Sequence, residues 1–240
     1  MAIGASAESN GSFSLALGGM SKAIGGWNIA IGTEASTKAD YFGTAIGYKA
    51  SVTQKQALAF GTMANAGGDS AISIGTVAKS FANNGLAIGT LSTVNATGGR
   101  GIAIGNAAYV GPAKPTDTTA MPKPSDEWKP GNPYVSQDDN TKPGANEGAQ
   151  EKAMAVGFKA SAFGYQTTAL GAGAQAHDSN TTAVGTAAVA KGHHSTALGM
   201  QARTFEKEST SVGHWADSRA EFATALGSNT IVYKKGGVAL

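Results

Sequence analysis

The fold is decided by a short repeat, which is clearest in residues 182–199, TAVGTAAVAKGHHSTALG. Two tetrapeptides, Thr182-Ala183-Val184-Gly185 and Thr196-Ala197-Leu198-Gly199, stand 14 residues apart and flank a stretch rich in small residues. The same pattern, a small residue between two apolar or Thr residues and then Gly, recurs in both directions along the chain. A pattern that returns at a fixed period predicts a solenoid, in which each repeat forms one coil.

The glycines of the tetrapeptide set the phase of the repeat. They are Gly4, Gly18, Gly32, Gly47, Gly61, Gly75, Gly89, Gly105, Gly157, Gly171, Gly185, Gly199, Gly213 and Gly227. Successive glycines are 14 residues apart, except for one step of 15, one of 16 and one of 52 residues. The longest step equals one 14-residue repeat plus 38 extra residues, so we predict about fourteen coils with one interruption.

Each coil is predicted to contain two short strands and two turns. The first strand begins just after the Gly and alternates polar with small residues, as in Glu34-Ala35-Ser36. The second is apolar, as in Leu86-Ala87-Ile88, which indicates burial on both faces. Stacked coils of this kind make an all-β, parallel β-solenoid. Because the Ala and Ser side of the second strand allows very close packing, we expect these faces to meet on the axis of a cyclic homo-oligomer.

Prolines mark the interruption, because all seven lie within residues 111–148. Proline cannot donate to a sheet ladder and is confined to edges and loops. We therefore predict repeats in residues 1–110, a long loop-like insertion projecting from a turn in residues 111–148, and repeats of the same continuous domain in residues 149–240.

Composition argues against several classes of protein. The 240 residues include no Cys, the formal net charge is +2, and Lys and Arg are scattered rather than clustered, which argues against nucleic acid as a partner. The sequence has no apolar run long enough to span a membrane and no signal peptide. It carries no nucleophile, acid-base or nucleotide motif, so we predict no enzymatic activity, no cofactor and no metal site.

The repeat resembles the head repeat of trimeric autotransporter adhesins, bacterial surface proteins that include the Yersinia adhesin type and haemagglutinin-like heads. The match is closest at Ser195-Thr196-Ala197-Leu198-Gly199 and Thr181-Thr182-Ala183-Val184-Gly185. The resemblance implies a left-handed parallel β-roll that forms a homotrimer. It also implies display at the outer membrane, on a stalk and anchor that this sequence lacks, so we interpret the sequence as a fragment.

The resemblance further implies a function in adhesion, with links to virulence, autoaggregation and biofilm. The expected partner is an extracellular matrix protein, a host-cell receptor or an abiotic surface.

Candidate ligand-binding residues fall into two groups. Tyr109, Trp128 and Tyr134 are aromatic residues at or within the insertion, where they would either anchor a ligand or pack the loop against the coils. Val77 and Leu91 share a phase in adjacent coils and would form either a small apolar stripe or ordinary tolerated surface.

Other solenoids remain as alternatives. One is a purely structural spacer, and another is an acyltransferase-like β-helix, although its coils have a six-residue period. An ice-binding solenoid would need an exposed Thr ladder. Thr168, Thr182, Thr196, Thr210 and Thr224 do share a phase, but Leu and Ile hold that phase in the N-terminal half, so we expect it to face inward.

Overall fold

The structure is a computed structural model, and it describes residues 1–95, 99–111 and 152–240. These residues form strands and turns without a helix, and hence without any helix of the length and apolar character that crossing a bilayer requires. The chain divides into two compact units, Met1–Val110 and Gly111–Leu240, which we describe separately. Trp128 and Tyr134 lie outside the described residues.

The first unit contains sixteen strands among its described residues. They are β1 (Ala2–Ile3), β2 (Glu8–Asn10), β3 (Leu15–Leu17), β4 (Lys22–Ile24), β5 (Ile29–Ile31), β6 (Ser36–Thr37), β7 (Thr44–Ile46), β8 (Ser51–Val52), β9 (Leu58–Phe60), β10 (Asn65–Ala66), β11 (Ile72–Ile74), β12 (Lys79–Ser80), β13 (Leu86–Ile88), β14 (Thr93–Val94), β15 (Ile102–Ile104) and β16 (Tyr109–Val110).

The second unit continues the pattern with thirteen strands in its described part. They are β17 (Met154–Val156), β18 (Ser161–Ala162), β19 (Thr168–Leu170), β20 (Gln175–Ala176), β21 (Thr182–Val184), β22 (Val189–Ala190), β23 (Thr196–Leu198), β24 (Arg203–Thr204), β25 (Thr210–Val212), β26 (Asp217–Ser218), β27 (Thr224–Leu226), β28 (Ile231–Val232) and β29 (Val238–Ala239).

Both units are built from coils of one odd-numbered and one even-numbered strand. Within each unit the odd strands form one parallel sheet and the even strands another, which we call the odd-strand sheet and the even-strand sheet. Neighbouring coils are in register, so that Thr182 pairs with Thr196 and Ala183 with Ala197. The prediction of a parallel β-solenoid of about fourteen coils is thereby confirmed for the residues that the structure describes.

The core between the two sheets is thin and consists of small side chains. The middle residue of the odd strands, such as Ala87 or Ala197, is fully buried, as is Ala190 on an even strand. A 14-residue coil leaves room for little more than Ala, Ser, Thr or Val between its two sheets. The expectation that the Ala and Ser faces meet on an oligomer axis is therefore wrong, because these faces already pack inside a single chain.

The turns begin earlier, and the strands later, than the sequence predicts. Glu34 was expected in a strand, but it occupies a turn with φ 57°, and the strand starts at Ser36. The Ala35 N–H donates to the carbonyl of Gly32 at 3.1 Å and closes a turn of type II geometry. Left-handed residues of this kind recur about every seven residues, once in each turn, and most of them are not glycine. Because bulky residues occupy many of these positions, the turns are difficult to recognise from the sequence.

The turns, like the strands, are linked from coil to coil. The N–H of Glu34 donates to the carbonyl of Gly19 in the preceding coil at 2.9 Å, and the N–H of Gln201 donates to that of Thr186 at 2.9 Å. Side chains at equal phase also pair, as in Arg203 Nη2 to Asp217 Oδ2 at 3.1 Å. The hydrogen-bond ladder therefore runs through both strands and turns, which fixes the register of the coils that the structure describes.

Candidate functional site

Within each unit, the outer face of the odd-strand sheet carries a row of apolar side chains. It consists of the first and third residues of each odd strand, which point away from the buried middle residue. At the third position lie Leu17, Ile31, Ile46, Phe60, Ile74, Ile88, Ile104, Val156, Leu170, Val184, Leu198, Val212 and Leu226. Five of them are exposed in the single chain, for example Phe60 at 51% and Leu198 at 44%, and the other eight are half-buried. A contiguous apolar surface of this kind is typical of an interaction face.

The Thr ladder belongs to the same outer face. Thr168, Thr182 and Thr196 occupy the first position of their strands and are half-buried, in register from coil to coil. The prediction that this phase faces inward is therefore wrong, because only the middle residue of a three-residue strand points into the coil. In the first unit Leu15, Ile29 and their equivalents hold the same position.

The outer face of the even-strand sheet is polar in the first unit. In β2 to β14 the first strand position holds Glu8, Lys22, Ser36, Ser51, Asn65, Lys79 and Thr93, which are all half-buried or exposed, whereas in β16 it holds the buried Tyr109. Lys22 Nζ lies 3.6 Å from Glu8 Oε2, an exposed ion pair that adds little stability. The two outer faces thus differ in character, and the apolar one is the better candidate for burial against another chain.

In the second unit part of the even-strand outer face is buried. Phe163, His177 and Val189 are at most 3% exposed. His177 Nε2 lies 3.1 Å from Gln175 Oε1 and therefore donates to this oxygen, and its ring centroid is 5.1 Å from that of Phe163. Burial, with a smaller contribution from the positive charge of Lys191, lowers the pKa of His177 from 6.5 to about 3.

We expect His177 to make the stability of the protein dependent on pH. The unfolded chain binds a proton at His177 below pH 6.5, whereas the folded chain does so only near pH 3. The free energy of unfolding should therefore fall as the pH drops through this window, by up to about 1.4 kcal/mol per pH unit from this group. Denaturant unfolding at a series of pH values should show a shallower slope for His177→Gln. The exposed turn residue His194 provides the control, and an equal change of slope in His194→Gln would contradict the assignment.

The described residues include three of the predicted ligand-binding residues, namely Val77, Leu91 and Tyr109. Val77 and Leu91 do lie at one phase in adjacent coils, but in turns with φ 58° and 59° rather than in strands. Val77 is half-buried and Leu91 is 54% exposed. Tyr109, in β16, is 8% exposed. Among the described residues, no group of three or more His, Asp or Glu side chains is placed to hold a metal ion.

The first unit has an exposed cluster of aromatic side chains that was not predicted from the sequence. Phe13, Trp27 and Phe42 occupy the same turn position in three successive coils, and Trp27 lies with its ring centroid 5.5 Å from each of the other two. Tyr41 lies beside them, 6.1 Å from Trp27. We call these four residues the aromatic stack. The signal was present in the sequence, because each of the three stacked residues precedes a repeat Gly by five residues.

The fold is a β-roll of repeating coils, because parallel coils stack with a glycine at one fixed phase and with an apolar outer face. The sequence matches the family described as YadA head domain repeat (2 copies), at residues 1–19, 42–64, 66–92, 151–174, 179–202 and 207–230. These segments cover more than half of the chain, and the chain therefore belongs to this family of trimeric autotransporter adhesin heads. None of the curated proteins matches the chain.

Proposed function

We propose that this chain is the adhesive head of a bacterial trimeric autotransporter and that it works as a homotrimer without enzymatic activity. The observation that carries the proposal is the apolar outer face of the odd-strand sheet. In one chain this face leaves Leu17, Phe60 and Leu198 at least 40% exposed, whereas three chains around an axis would bury it. The family of the chain supports the same assembly.

Adhesion in this proposal is multivalent. A trimer presents every surface feature of the head three times, so weak contacts to one target add up through effective concentration. The polar outer face of the even-strand sheet and the turns are left to meet the target, which we expect to be an extracellular matrix protein, a host-cell receptor or an abiotic surface. Display at the outer membrane, autoaggregation, biofilm formation and a role in virulence belong to the same proposal.

A charge on the apolar face is expected to dissociate the trimer. Ile74 pairs with Phe60 and Ile88 in the middle of this face, so Ile74→Asp would place an unpaired carboxylate between chains. Light scattering should give three times the chain mass for the wild-type protein and a smaller mass for Ile74→Asp. Adhesion to surfaces coated with matrix proteins should fall with the loss of the trimer.

The matched control is Lys79→Asp, on the exposed outer face of β12 in the same coil. This variant introduces the same carboxylate and should stay trimeric. A wild-type chain that remains monomeric at micromolar concentration, or an Ile74→Asp variant with unchanged mass, would contradict the proposed assembly.

A further inference from the structure

The dipeptide Asn-Gly occurs twice in the sequence, at Asn10-Gly11 and at Asn84-Gly85, and both copies lie in the first unit. This pair is chemically reactive, because the backbone nitrogen of Gly can attack the side-chain amide of Asn and Gly has no side chain that hinders the approach. Both Asn side chains are exposed, and no described residue forms a hydrogen bond with either of them. Any difference in reactivity must therefore come from the glycines and the backbone around them.

The backbone at Gly11 is accessible and weakly held. Gly11 is exposed, and its N–H group has no hydrogen-bond partner among the described residues. Strand β2, which ends at Asn10, pairs on one side only in the described sheet, with β4. A segment with few hydrogen bonds and exposed backbone opens locally at a low cost in free energy. The nitrogen that would attack the Asn10 amide is therefore in contact with water and free to move.

The backbone at Gly85 is held firmly in place. Gly85 is buried, its N–H donates to the carbonyl of Ala82 at 3.1 Å, and its carbonyl accepts from the N–H of Ile72 at 2.8 Å. The preceding coil also holds Asn84, whose N–H donates to the carbonyl of Asp69 at 2.8 Å. Before the Gly85 nitrogen could attack the Asn84 amide, hydrogen bonds of this buried segment would have to break.

The fold requires glycine at position 11 but does not require Asn at position 10. A Cβ atom at position 11 would collide with the carbonyl group of Gly25 in the next coil. Asn10 is exposed, and the residue that pairs with it in β4 is the apolar Ile24. The close approach of two coils therefore fixes the glycine that makes Asn10 reactive, whereas the Asn10 side chain has no structural role of its own.

We propose that Asn10 is a site of spontaneous deamidation in the folded protein, and that Asn84 is protected from the same reaction. Hydroxide removes the proton of the Gly11 N–H, and the nitrogen attacks Asn10 Cγ. A new bond forms between the two atoms, the bond from Cγ to the side-chain nitrogen breaks, and ammonia leaves behind a cyclic succinimide. Water then opens the ring. Cleavage of the new bond gives aspartate, and cleavage of the original peptide bond gives isoaspartate.

The modification would change the contact between β2 and β4. The carbonyl of Asn10 accepts a hydrogen bond from the Gly25 N–H at 3.0 Å, and the carbonyl of Ser12 accepts one from the Trp27 N–H at 2.8 Å. Isoaspartate lengthens the main chain between Asn10 and Ser12 and leaves a free carboxylate at position 10. Because both acceptors cannot then keep their places, we expect the ladder between these two coils to loosen as the protein ages.

The test follows both sites in the same samples of the folded whole chain. The protein is incubated at mildly alkaline pH, and peptide mapping by mass spectrometry measures the loss of each amide with time. Asn10 should deamidate at least about tenfold faster than Asn84, because Asn84 reacts only when its coil opens. The products at Asn10 should include isoaspartate, which distinguishes attack by the Gly11 nitrogen from direct hydrolysis of the amide.

The unfolded chain is the matched control. In denaturant both glycines are free, so the two sites should react at similar rates. In the folded chain Asn10→Gln should abolish the fast reaction and leave the rate at Asn84 unchanged, because Gln would have to close a larger ring. Equal rates at the two sites of the folded chain, or aspartate at Asn10 without isoaspartate, would overturn the inference. A tenfold difference that persists in denaturant would also overturn it, because the neighbouring sequence rather than the fold would then set the rates.

Discussion

Gly213→Ala is expected to destabilise the second unit much more than Gly227→Ala, although the two glycines hold the same place in successive coils. Both have a strongly positive φ, 134° for Gly213 and 129° for Gly227, so both variants carry a backbone strain of about 1–3 kcal/mol. At Gly213 the new methyl group would also collide with the carbonyl group of Gly227, lying 2.6 Å from its carbon. At Gly227 the nearest atoms are Thr230 Cγ2 at 3.2 Å and the carbonyl carbon of Leu240 at 3.6 Å.

The collision should add about 1–3 kcal/mol or more, because the ladder on both sides prevents the backbone from moving away. Thermal unfolding followed by circular dichroism, with both variants compared to the wild-type chain, measures the difference. Equal losses in the two variants would mean that strain at φ, rather than the approach of successive coils, explains the repeated Gly.

Ala197→Leu is the second change with a large expected effect. Ala197 is fully buried between the two sheets, and its neighbours at the same phase are Ala183 and Ser211. Three additional carbon atoms have no space there unless the sheets move apart, which breaks the ladder in adjacent coils. We expect a loss of about 3 kcal/mol or more in the free energy of unfolding, at the upper end of the effects of overpacking.

The matched control is Ala172→Leu, which adds the same atoms at an exposed turn position of the same unit. Phe158 and Met200 hold this position in other coils, so a large side chain is tolerated there. Denaturant unfolding of both variants should show a loss for Ala197→Leu only. If Ala197→Leu kept its stability and lost only its oligomeric state, the small-residue face would lie between chains rather than inside one.

The coil repeat and the parallel register could be predicted from the sequence, because the glycine phase leaves one way to stack the strands. The direction in which each side chain points was the harder step. In Thr196-Ala197-Leu198 the alternation shows two faces, but it does not say which face is inside. The width of a 14-residue coil answers this, because only the Ala side fits between the sheets.

The exact positions of the turns, and the aromatic stack, were not predicted for a different reason. Glu34 and Trp27 occupy left-handed turn positions that are usually assigned to Gly or Asn, and nothing in their chemistry suggests a turn. They adopt this conformation because the ladder of neighbouring coils fixes their backbone. The stacking of coils thus overrides the backbone conformation that each residue type prefers. This effect cannot be recognised from the sequence of a single repeat.

The link between coils also bears on how such a protein changes during evolution. A duplication or deletion of 14 residues leaves every remaining coil with a suitable partner above and below, so the length of the solenoid varies in increments of about 4.8 Å. Changes of other sizes must be absorbed in a turn, as in the 15-residue coil at Tyr41. Duplication of whole coils can therefore change the length of the solenoid. Single substitutions in the turns instead change the side chains that a coil exposes.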